Sequence, residues 1–195
     1  MATNQDSPSG FTCIGTLDGS DYHGKAQRVA LLAADSTATF VGDTVKITGT
    51  ASADGTTPSV AQCAAGDRPY GVLVSLEPNF EDESSLSTAN YRVASTLRYG
   101  MVIPMDAGLF AIQEDSVGGD LAITNVGQNI SVVVGAGSTA TGISGMEIDS
   151  STAATTNTLV YRIMGVHRVE DNELGTNCQW VVTSNLTNLN NITGV

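Results

Sequence analysis

The stretch YRVASTLRYGMVI, residues 91–103, alternates between two kinds of side chain. Its odd positions are mostly apolar or aromatic, whereas its even positions include Arg92, Thr96 and Arg98. A period of two with one apolar face is typical of a β-strand that is buried on one side. We therefore predict a long, half-buried strand over residues 91–103.

The same period occurs in LVYRIMGVHRV, residues 159–169, with Arg162, Met164 and Arg168 on the polar side. Further strands are predicted from β-branched and apolar runs that are bounded by Gly, Pro, Asp or Asn. They cover residues 38–50, 70–76, 109–113, 121–124, 130–134, 146–149 and 179–183. The Gly-, Ser-, Ala- and Pro-containing residues 51–61 are predicted to form a loop.

These strands predict an all-β fold, a single-domain β-barrel or β-sandwich with long Gly/Ser/Thr loops. Long amphipathic helical stretches and βαβ patterns are missing from the sequence. At 195 residues, one domain is the default expectation. Residues 1–28 are polar and rich in turn formers, which predicts an extended N-terminal arm or edge segment. Residues 29–184 are assigned to the β-rich core and residues 185–195 to a C-terminal tail.

The charge of the chain limits its partners. Asp and Glu number 20 against 8 Lys and Arg, and the net charge is −12. Nucleic-acid binding depends on clustered Lys and Arg, so we expect no nucleic-acid partner. The sequence contains no apolar run of about 20 residues, and an anionic surface disfavours anionic lipid, so we also expect no membrane partner. An acidic exterior favours docking onto a basic protein.

The cysteines and the N-terminus give expectations about the compartment. Cys13, Cys63 and Cys178 are odd in number and follow no disulfide or zinc-site spacing. Reduced thiols and folding in a cytosol are therefore expected. The N-terminal residues MATNQDSPSG have no cationic start and no apolar segment, so no secretory signal is predicted.

No pattern of catalytic residues was found. The two histidines are His23 and His167, and no G-x-S-x-G motif accompanies them. The glycines between Gly135 and Gly142 lack the spacing of a dinucleotide-binding loop. We expect no enzymatic activity, no catalytic residue and no cofactor.

Acidic residues raise the question of calcium. Carboxylates occur in the loop after residue 76 and again near residue 115; they are Glu77, Glu81, Asp82, Glu83, Asp115 and Asp120. They lack the alternating register of a calcium-binding loop. A solvated acidic loop is favoured, and no metal site is predicted, although calcium binding by residues 77–83 stays open.

Four arginines form two pairs with the same spacing. Arg92 and Arg98, like Arg162 and Arg168, lie six residues apart on the polar side of a predicted strand, so each pair faces one side of the sheet. In an acidic chain they are candidates for ion pairs. Pairs within the chain are favoured over contacts across a subunit boundary. Together with Phe11 and Tyr22 of the arm, these arginines form the candidate interface.

Several segments in this order resemble the small structural proteins of tailed bacteriophages, and among them capsid decoration (cement) proteins. The segments are SPSGFTCIGTLDGSDYHG, FVGDTVKITG, YGVLVSLEPN, YRVASTLRYGMVIPMDAGLFAIQED, TGISGMEIDSST and RIMGVHRVEDNELG. The resemblance covers most of the chain, and it consists of overall style and short phrases with no diagnostic motif.

The resemblance implies a β-rich virion protein that binds the capsid exterior and clamps neighbouring major capsid protein subunits. It also implies self-association, commonly as a homotrimer, after synthesis in the host cytoplasm. It implies no catalytic residues. An N-terminal arm that adds a strand to a neighbour's sheet edge is one suitable mechanism. The alternative is a phage tail or fibre-associated structural or host-binding module.

Overall fold

The computed structural model describes residues 4–78, 90–106 and 108–190. Within these residues the structure is nearly all β, and its helical elements are three short 3-10 turns: His23–Lys25, Ile123–Asn125 and Ser150–Thr152. The strands are β1 Thr12–Thr16, β2 Gln27–Leu31, β3 Thr44–Ala51, β4 Pro58–Gln62, β5 Gly71–Leu76, β6 Arg98–Pro104, β7 Gly108–Gln113, β8 Asn129–Ile130, β9 Val132–Gly135, β10 Gly145–Ile148, β11 Tyr161–Val166 and β12 Gln179–Ser184. The predicted all-β, single-domain fold is confirmed, and it contains a barrel.

Five strands close the barrel in the order β2-β4-β3-β5-β6, and β6 pairs back onto β2. The β2–β4 pair is parallel and the other pairs are antiparallel. Closure leaves this sheet without a free edge. Its interior is filled by Val and Leu side chains together with Tyr70, which fits the low aromatic content of 5%.

A second sheet packs beside the barrel. Its strand order is β1-β7-β12-β11-β8 and every pair is antiparallel. Strands β9 and β10 form a separate two-stranded ladder. The larger core of the protein lies among these elements and includes Phe110, Tyr161 and the single tryptophan, Trp180, all almost fully buried.

Strands β5 and β6 connect the two cores. Leu73 and Val102 point into the barrel, whereas Val72 and Ile103 belong to the larger core. The continuous apolar run in β5 is typical of a strand that is buried on both faces. This shared pair of strands joins the barrel and the sheet.

The strand predicted over residues 91–103 starts later than expected, at Arg98. Ser95 has a φ of 58°, which interrupts an extended conformation, and residue 92 makes an isolated bridge to Thr39. The predicted buried face is also wrong at the start of the strand. Arg98, Gly100 and Val102 are buried, while Tyr99 and Met101 are only partly buried.

Two predictions on the next segments need correction as well. The strand predicted over 38–50 starts only at Thr44, because Gly42 has a φ of 96° and forms a turn before it. The loop predicted over 51–61 contains β4, a strand between β2 and β3. Pro58 is the first residue of β4, a position where a proline is tolerated. Pro58 and Ser59 are typical of loops, so local propensities do not predict this strand.

The later strands agree better with the sequence. Strand β11 keeps the predicted alternation from Tyr161 to Met164, until a bulge between Ile163 and Gly165 shifts the register. The segments predicted over 70–76, 109–113, 130–134, 146–149 and 179–183 all contain strands close to those bounds. The strand predicted over 121–124 is wrong, since that region forms a 3-10 turn.

The predicted arm belongs largely to the fold. Residues 12–16 form β1, the edge strand of the second sheet, and the boundary at residue 28 falls inside β2. The described part of the predicted tail is also docked, because Asn188 hydrogen-bonds Ile47 of β3 and Pro69. Among the described residues, those that precede the first strand are 4–11.

Candidate functional site

Arg92 is a structural residue whose side chain lies between two loops and connects them by hydrogen bonds. Its side chain is fully buried, at 0% exposed, and not on the polar face of a strand as predicted. The guanidinium donates to the main-chain oxygens of Thr96 at 2.9 Å and Asp35 at 2.8 Å, and also to those of Thr37 and Leu32. Its Nη1 lies 3.4 Å from the Asp35 carboxylate. Burial leaves Arg92 no surface for a partner in this conformation.

Arg98 is also turned inward. It is buried, and it donates to the main-chain oxygens of Tyr91 at 2.9 Å and Glu77 at 3.1 Å. Burial lowers the pKa of this guanidinium. The guanidinium groups of Arg92 and Arg98 therefore donate to carbonyl oxygens within the chain. These oxygens belong to residues outside the strands, where no sheet partner satisfies them.

The second arginine pair lies on the exterior, but only Arg162 is on the predicted strand, because β11 ends at Val166. Arg162 is exposed on β11 and donates to the side-chain oxygens of Asn129 at 3.0 Å and Asn185 at 2.8 Å. Arg168 is exposed just beyond the end of β11. These two remain the candidate interface residues with accessible charge.

Phe11 and Tyr22, the aromatic candidates, contact the core. Phe11 is 2% exposed, and its ring lies 4.9 Å from that of Tyr161 and 6.4 Å from that of Phe110. Tyr22 is half-buried and packs against the same core. Phe11 thus anchors the start of β1 and is not available to a partner in this conformation.

An apolar cavity of about 470 Å³ lies between β1 and the barrel. Its lining includes Phe11, Cys13, Tyr22, Val41, Leu73 and Ile143. Cavities of this size and character bind apolar groups in other proteins. Among the described residues, its lining contains no charged side chain and is mainly apolar, with Ser9 and Thr12 as its hydroxyl-bearing aliphatic residues.

Residues 4–7 lie across the end of the second sheet. Two side-chain amides attach them there: Asn4, which belongs to this segment, and Gln113, the last residue of β7. We call these two side chains the amide clamp. Asn4 Nδ2 donates to the main-chain oxygens of Glu173 at 2.7 Å and Thr176 at 2.9 Å, and its Oδ1 accepts from Glu173 N at 3.0 Å. Gln113 Oε1 accepts from Ser7 N at 3.0 Å, and its Nε2 donates to Gln5 O at 2.8 Å. Both side chains of the clamp therefore bind main-chain N–H and C=O groups.

Gly10 fixes the point where this segment joins the fold. It has a φ of 67°, and a Cβ there would lie 2.5 Å from both Gly42 O and Ser144 Cβ. Only glycine fits so close an approach in this conformation. The chain from Gly10 onward is packed in place, whereas residues 5–9 are exposed.

The clamp predicts a modest effect of truncation. Deleting residues 1–8 is expected to lower the free energy of unfolding by about 1–2 kcal/mol, because the buried Gln113 amide loses two partners. Urea denaturation monitored by Trp180 fluorescence measures this. Gln113→Leu in the truncated chain is the matched control and should recover part of the loss. A truncation that leaves the fold intact must end before Gly10, since Phe11 and β1 belong to the core.

Aspartates in the exposed turns account for part of the negative charge. Five of them accept a hydrogen bond of 2.9–3.2 Å from the main-chain N–H two residues further on: Asp18, Asp35, Asp54, Asp115 and Asp149. Hydrogen bonds from Ser20 hold the pKa of Asp18 well below its usual range, and those from Ser52 and Thr56 lower the pKa of Asp54 to about 2. Asp18 and Asp54 therefore stay ionised in mild acid.

Two glutamates have the opposite property. Glu114 is 0% exposed, and burial raises its pKa to about 7 although Oε2 accepts from Leu121 N at 2.8 Å. The indole N–H of Trp180 faces this carboxylate and favours its ionised form, without the geometry of a regular hydrogen bond. Burial, with the nearby charges of Asp6 and Asp115, raises the pKa of Glu147 to about 7 as well.

The remaining candidates are placed as follows. His167 Nδ1 lies 3.3 Å from Gln179 Oε1. All three cysteines are free thiols and buried, and burial raises the pKa of Cys63 to about 12 and that of Cys178 to about 11. Among residues 4–78, 90–106 and 108–190, no group of three His, Cys, Asp or Glu is placed to hold a metal ion.

The candidate calcium loop lies mostly outside the described residues. Of its acidic side chains Glu77 is described, and it forms a bidentate pair with Arg28 at 2.7 and 2.8 Å. Arg28 also stacks over the ring of Tyr99, 4.0 Å from the ring centroid. Glu81, Asp82 and Glu83 are not described.

Comparisons of this chain with protein-family models, curated proteins and solved structures found no match. In the described part of the chain, no helix has the length and apolar character needed to cross a membrane. The sequence had pointed to neither the amide clamp nor Glu114. Both depend on contacts between residues that are far apart in the chain, such as Asn4 and Glu173.

Proposed function

We propose that this protein is a structural component of a tailed-bacteriophage virion, of the capsid decoration type. It would bind the outer surface of the head and stabilise contacts between major capsid protein subunits. The observation that carries the proposal is the agreement between the resemblance and the fold. The resemblance implies a β-rich subunit, and the chain folds into a closed five-stranded barrel, two strands of which also contribute to the core of a second sheet.

The architecture suits a clamp that must resist deformation. Two of the barrel strands, β5 and β6, also contribute to the core of the second sheet, so the two parts cannot move apart without exposing apolar side chains. Buried arginines tie the loops to the same framework. A rigid subunit loses little conformational freedom when it binds, which favours affinity from many modest contacts.

The charge of the exterior indicates the partner's chemistry. The net charge is −12, and Asp18 and Asp54 keep their charge in mild acid. An anionic surface attracts a basic one and speeds their encounter. The exposed Arg162 and Arg168 would then make local pairs with carboxylates of the capsid subunit.

Co-sedimentation with heads tests this proposal. Heads of the encoding virus that lack this protein are mixed with the purified chain, and isolated tails form a parallel sample. We expect saturable binding to heads and none to tails. Binding to tails alone would contradict the proposal and favour the tail or fibre-associated module.

A pair of variants tests the exposed arginine. Arg168→Ala should weaken binding to heads without changing the unfolding midpoint, because the side chain is exposed. Lys25→Ala is the control, since it removes the same charge from another part of the exterior.

Light scattering behind a sizing column then measures the proposed trimer, for which three chain masses of 20.1 kDa are expected.

A further inference from the structure

Strand β9 has one edge that pairs with β10 and a second edge that faces the other way. Just before the strand, Ser131 O accepts from Asp149 N at 3.1 Å, in register with the antiparallel ladder. Hydrogen-bonded and non-hydrogen-bonded pairs alternate along such a ladder, so Val133 is the next residue whose main chain faces β10. Val132 and Val134 therefore direct their main-chain N–H and C=O groups away from β10.

The outward edge of β9 is unpaired in the described part of the chain. Within residues 4–78, 90–106 and 108–190, β10 is the one strand that pairs with β9. No main-chain hydrogen bond outside the ladders involves Val132 or Val134 in these residues. An unpaired edge is a template for another extended chain. The edge therefore provides the donors and acceptors that an added strand requires.

A groove of about 470 Å³ lies against the same strand. Its lining combines residues 132–134 of β9 with residues 62–65, at and after the end of β4. Successive side chains of a strand point to opposite faces, so a groove that contacts three successive residues lies along the edge. The second wall contains Ala64 and Ala65, whose small side chains leave room for those of a bound strand.

We propose that this groove binds an extended segment of a partner protein, which adds as a strand to β9. Val132 and Val134 each present one N–H and one C=O, so an antiparallel segment can form up to four main-chain hydrogen bonds. Strand addition of this kind obtains its affinity from main-chain bonds and its specificity from alternate side chains. Any partner with a suitable segment can use the edge, whatever larger assembly the protein joins.

The lining also indicates the chemistry of the segment. The carboxylate of Asp149 lies at the groove, and the whole chain carries a net charge of −12. This charge favours a segment that carries basic residues. The valines and alanines of the two walls favour β-branched or small side chains between them.

Fluorescence anisotropy with a short labelled peptide tests the proposal. The peptide alternates valine and threonine between terminal lysines, and full-length protein is titrated into it. We expect saturable binding, and weaker binding when glutamates replace the lysines. The same peptide with N-methyl groups on the amides of either edge should not bind, because it cannot donate to β9. No binding of the lysine peptide at about 1 mM, where even weak complexes form, would overturn the proposal.

Two variants at one position separate main-chain recognition from other binding. Val134→Pro removes an outward N–H at a sheet edge, where proline is tolerated, whereas Val134→Thr keeps the N–H and changes a partly exposed side chain. We expect roughly tenfold weaker binding for Val134→Pro, because one hydrogen bond is lost and the ring blocks close approach, and unchanged binding for Val134→Thr. Urea denaturation should give both variants the wild-type midpoint. Equal affinity of Val134→Pro and the wild type would overturn the proposal.

Light scattering at the same protein concentrations distinguishes the partner segment from a second copy of the chain. The expected result is the same mass for the wild type and for Val134→Pro. A mass that falls in Val134→Pro would assign the edge to a second copy and would overturn the proposal of a separate partner.

Discussion

Replacing Arg92 with alanine is expected to lower the free energy of unfolding by about 3–5 kcal/mol. The guanidinium binds four main-chain oxygens, those of Leu32, Asp35, Thr37 and Thr96. Its loss leaves these oxygens without their charged donor and leaves a void beside them. It also leaves the Asp35 carboxylate without the positive charge that lies 3.4 Å away.

The size of the effect follows from burial. Arg92 is 0% exposed, so water does not replace the lost donors without local unfolding. Burial lowers the pKa of this guanidinium and Asp35 raises it, but an arginine stays charged in either case. Because residues 32–39 and 90–96 meet at this side chain, the variant should loosen both loops together.

Urea denaturation followed by Trp180 fluorescence measures the change, since Trp180 is the only tryptophan and is buried. Arg162→Ala is the matched control. Its side chain is exposed and binds two asparagine side chains, so the expected loss is about 1 kcal/mol or less. Arg92→Lys should recover only part of the loss, because an ammonium group does not reproduce the planar fork of donors. Equal losses for Arg92→Ala and Arg162→Ala would contradict the assignment.

Arg92 also illustrates the limit of sequence analysis for this protein. The alternating pattern predicts that an arginine at an even position lies on the polar face of the strand. The pattern stopped being valid at Ser95, whose positive φ ends the extended chain. No local rule indicates that carbonyl groups 55–60 residues away require a buried donor.

The fold class itself was predictable, because strand periodicity is a local property. Strand β11 and the apolar run of β5 were identified from spacing and β-branched residues alone. Strand β4 was missed because Pro58 and Ser59 resemble a loop, and its pairing with both β2 and β3 is what makes it a strand. Barrel closure likewise depends on the non-local pair between β2 and β6.

The candidate interface was predicted less well than the fold. Charge and aromatic character suggested Arg92, Arg98 and Phe11 as contact residues, but these side chains are buried. Arg162 and Arg168 are exposed as expected. Exposure depends on three-dimensional packing. Arg98, for example, lies on a barrel strand but is buried, because its side chain donates to loop carbonyl oxygens.

Replacing Glu114 with glutamine is expected to stabilise the protein above pH 7 and to change it little at pH 5. The carboxyl group is fully buried and its pKa is raised to about 7 by burial. Its usual value is 4.5, so the native state holds a proton between pH 4.5 and 7 that the unfolded state has lost. Stability is therefore fully present below the unfolded pKa and is lost as the pH rises through the folded pKa.

The raised pKa corresponds to about 3 kcal/mol for this residue. Glutamine keeps an oxygen for the Leu121 N–H and carries no charge to bury. At pH 8.5 we therefore expect Glu114→Gln to exceed the wild type by about 2–3 kcal/mol in free energy of unfolding. Glu147 contributes to the same pH window, since its pKa is also raised to about 7, so the single variant should remove only part of the pH dependence.

Urea denaturation at pH 5 and pH 8.5 provides the comparison, with the exposed Glu170→Gln as the matched control. Trp180 gives an independent signal, because its indole N–H faces the Glu114 carboxylate and its fluorescence should change with a midpoint near pH 7 in the wild type only. A variant with the same decline in stability from pH 5 to pH 8.5 as the wild type would show that Glu114 is not the titrating group. A decline that persists in Glu114→Gln and disappears on adding Glu147→Gln would assign it to the second glutamate.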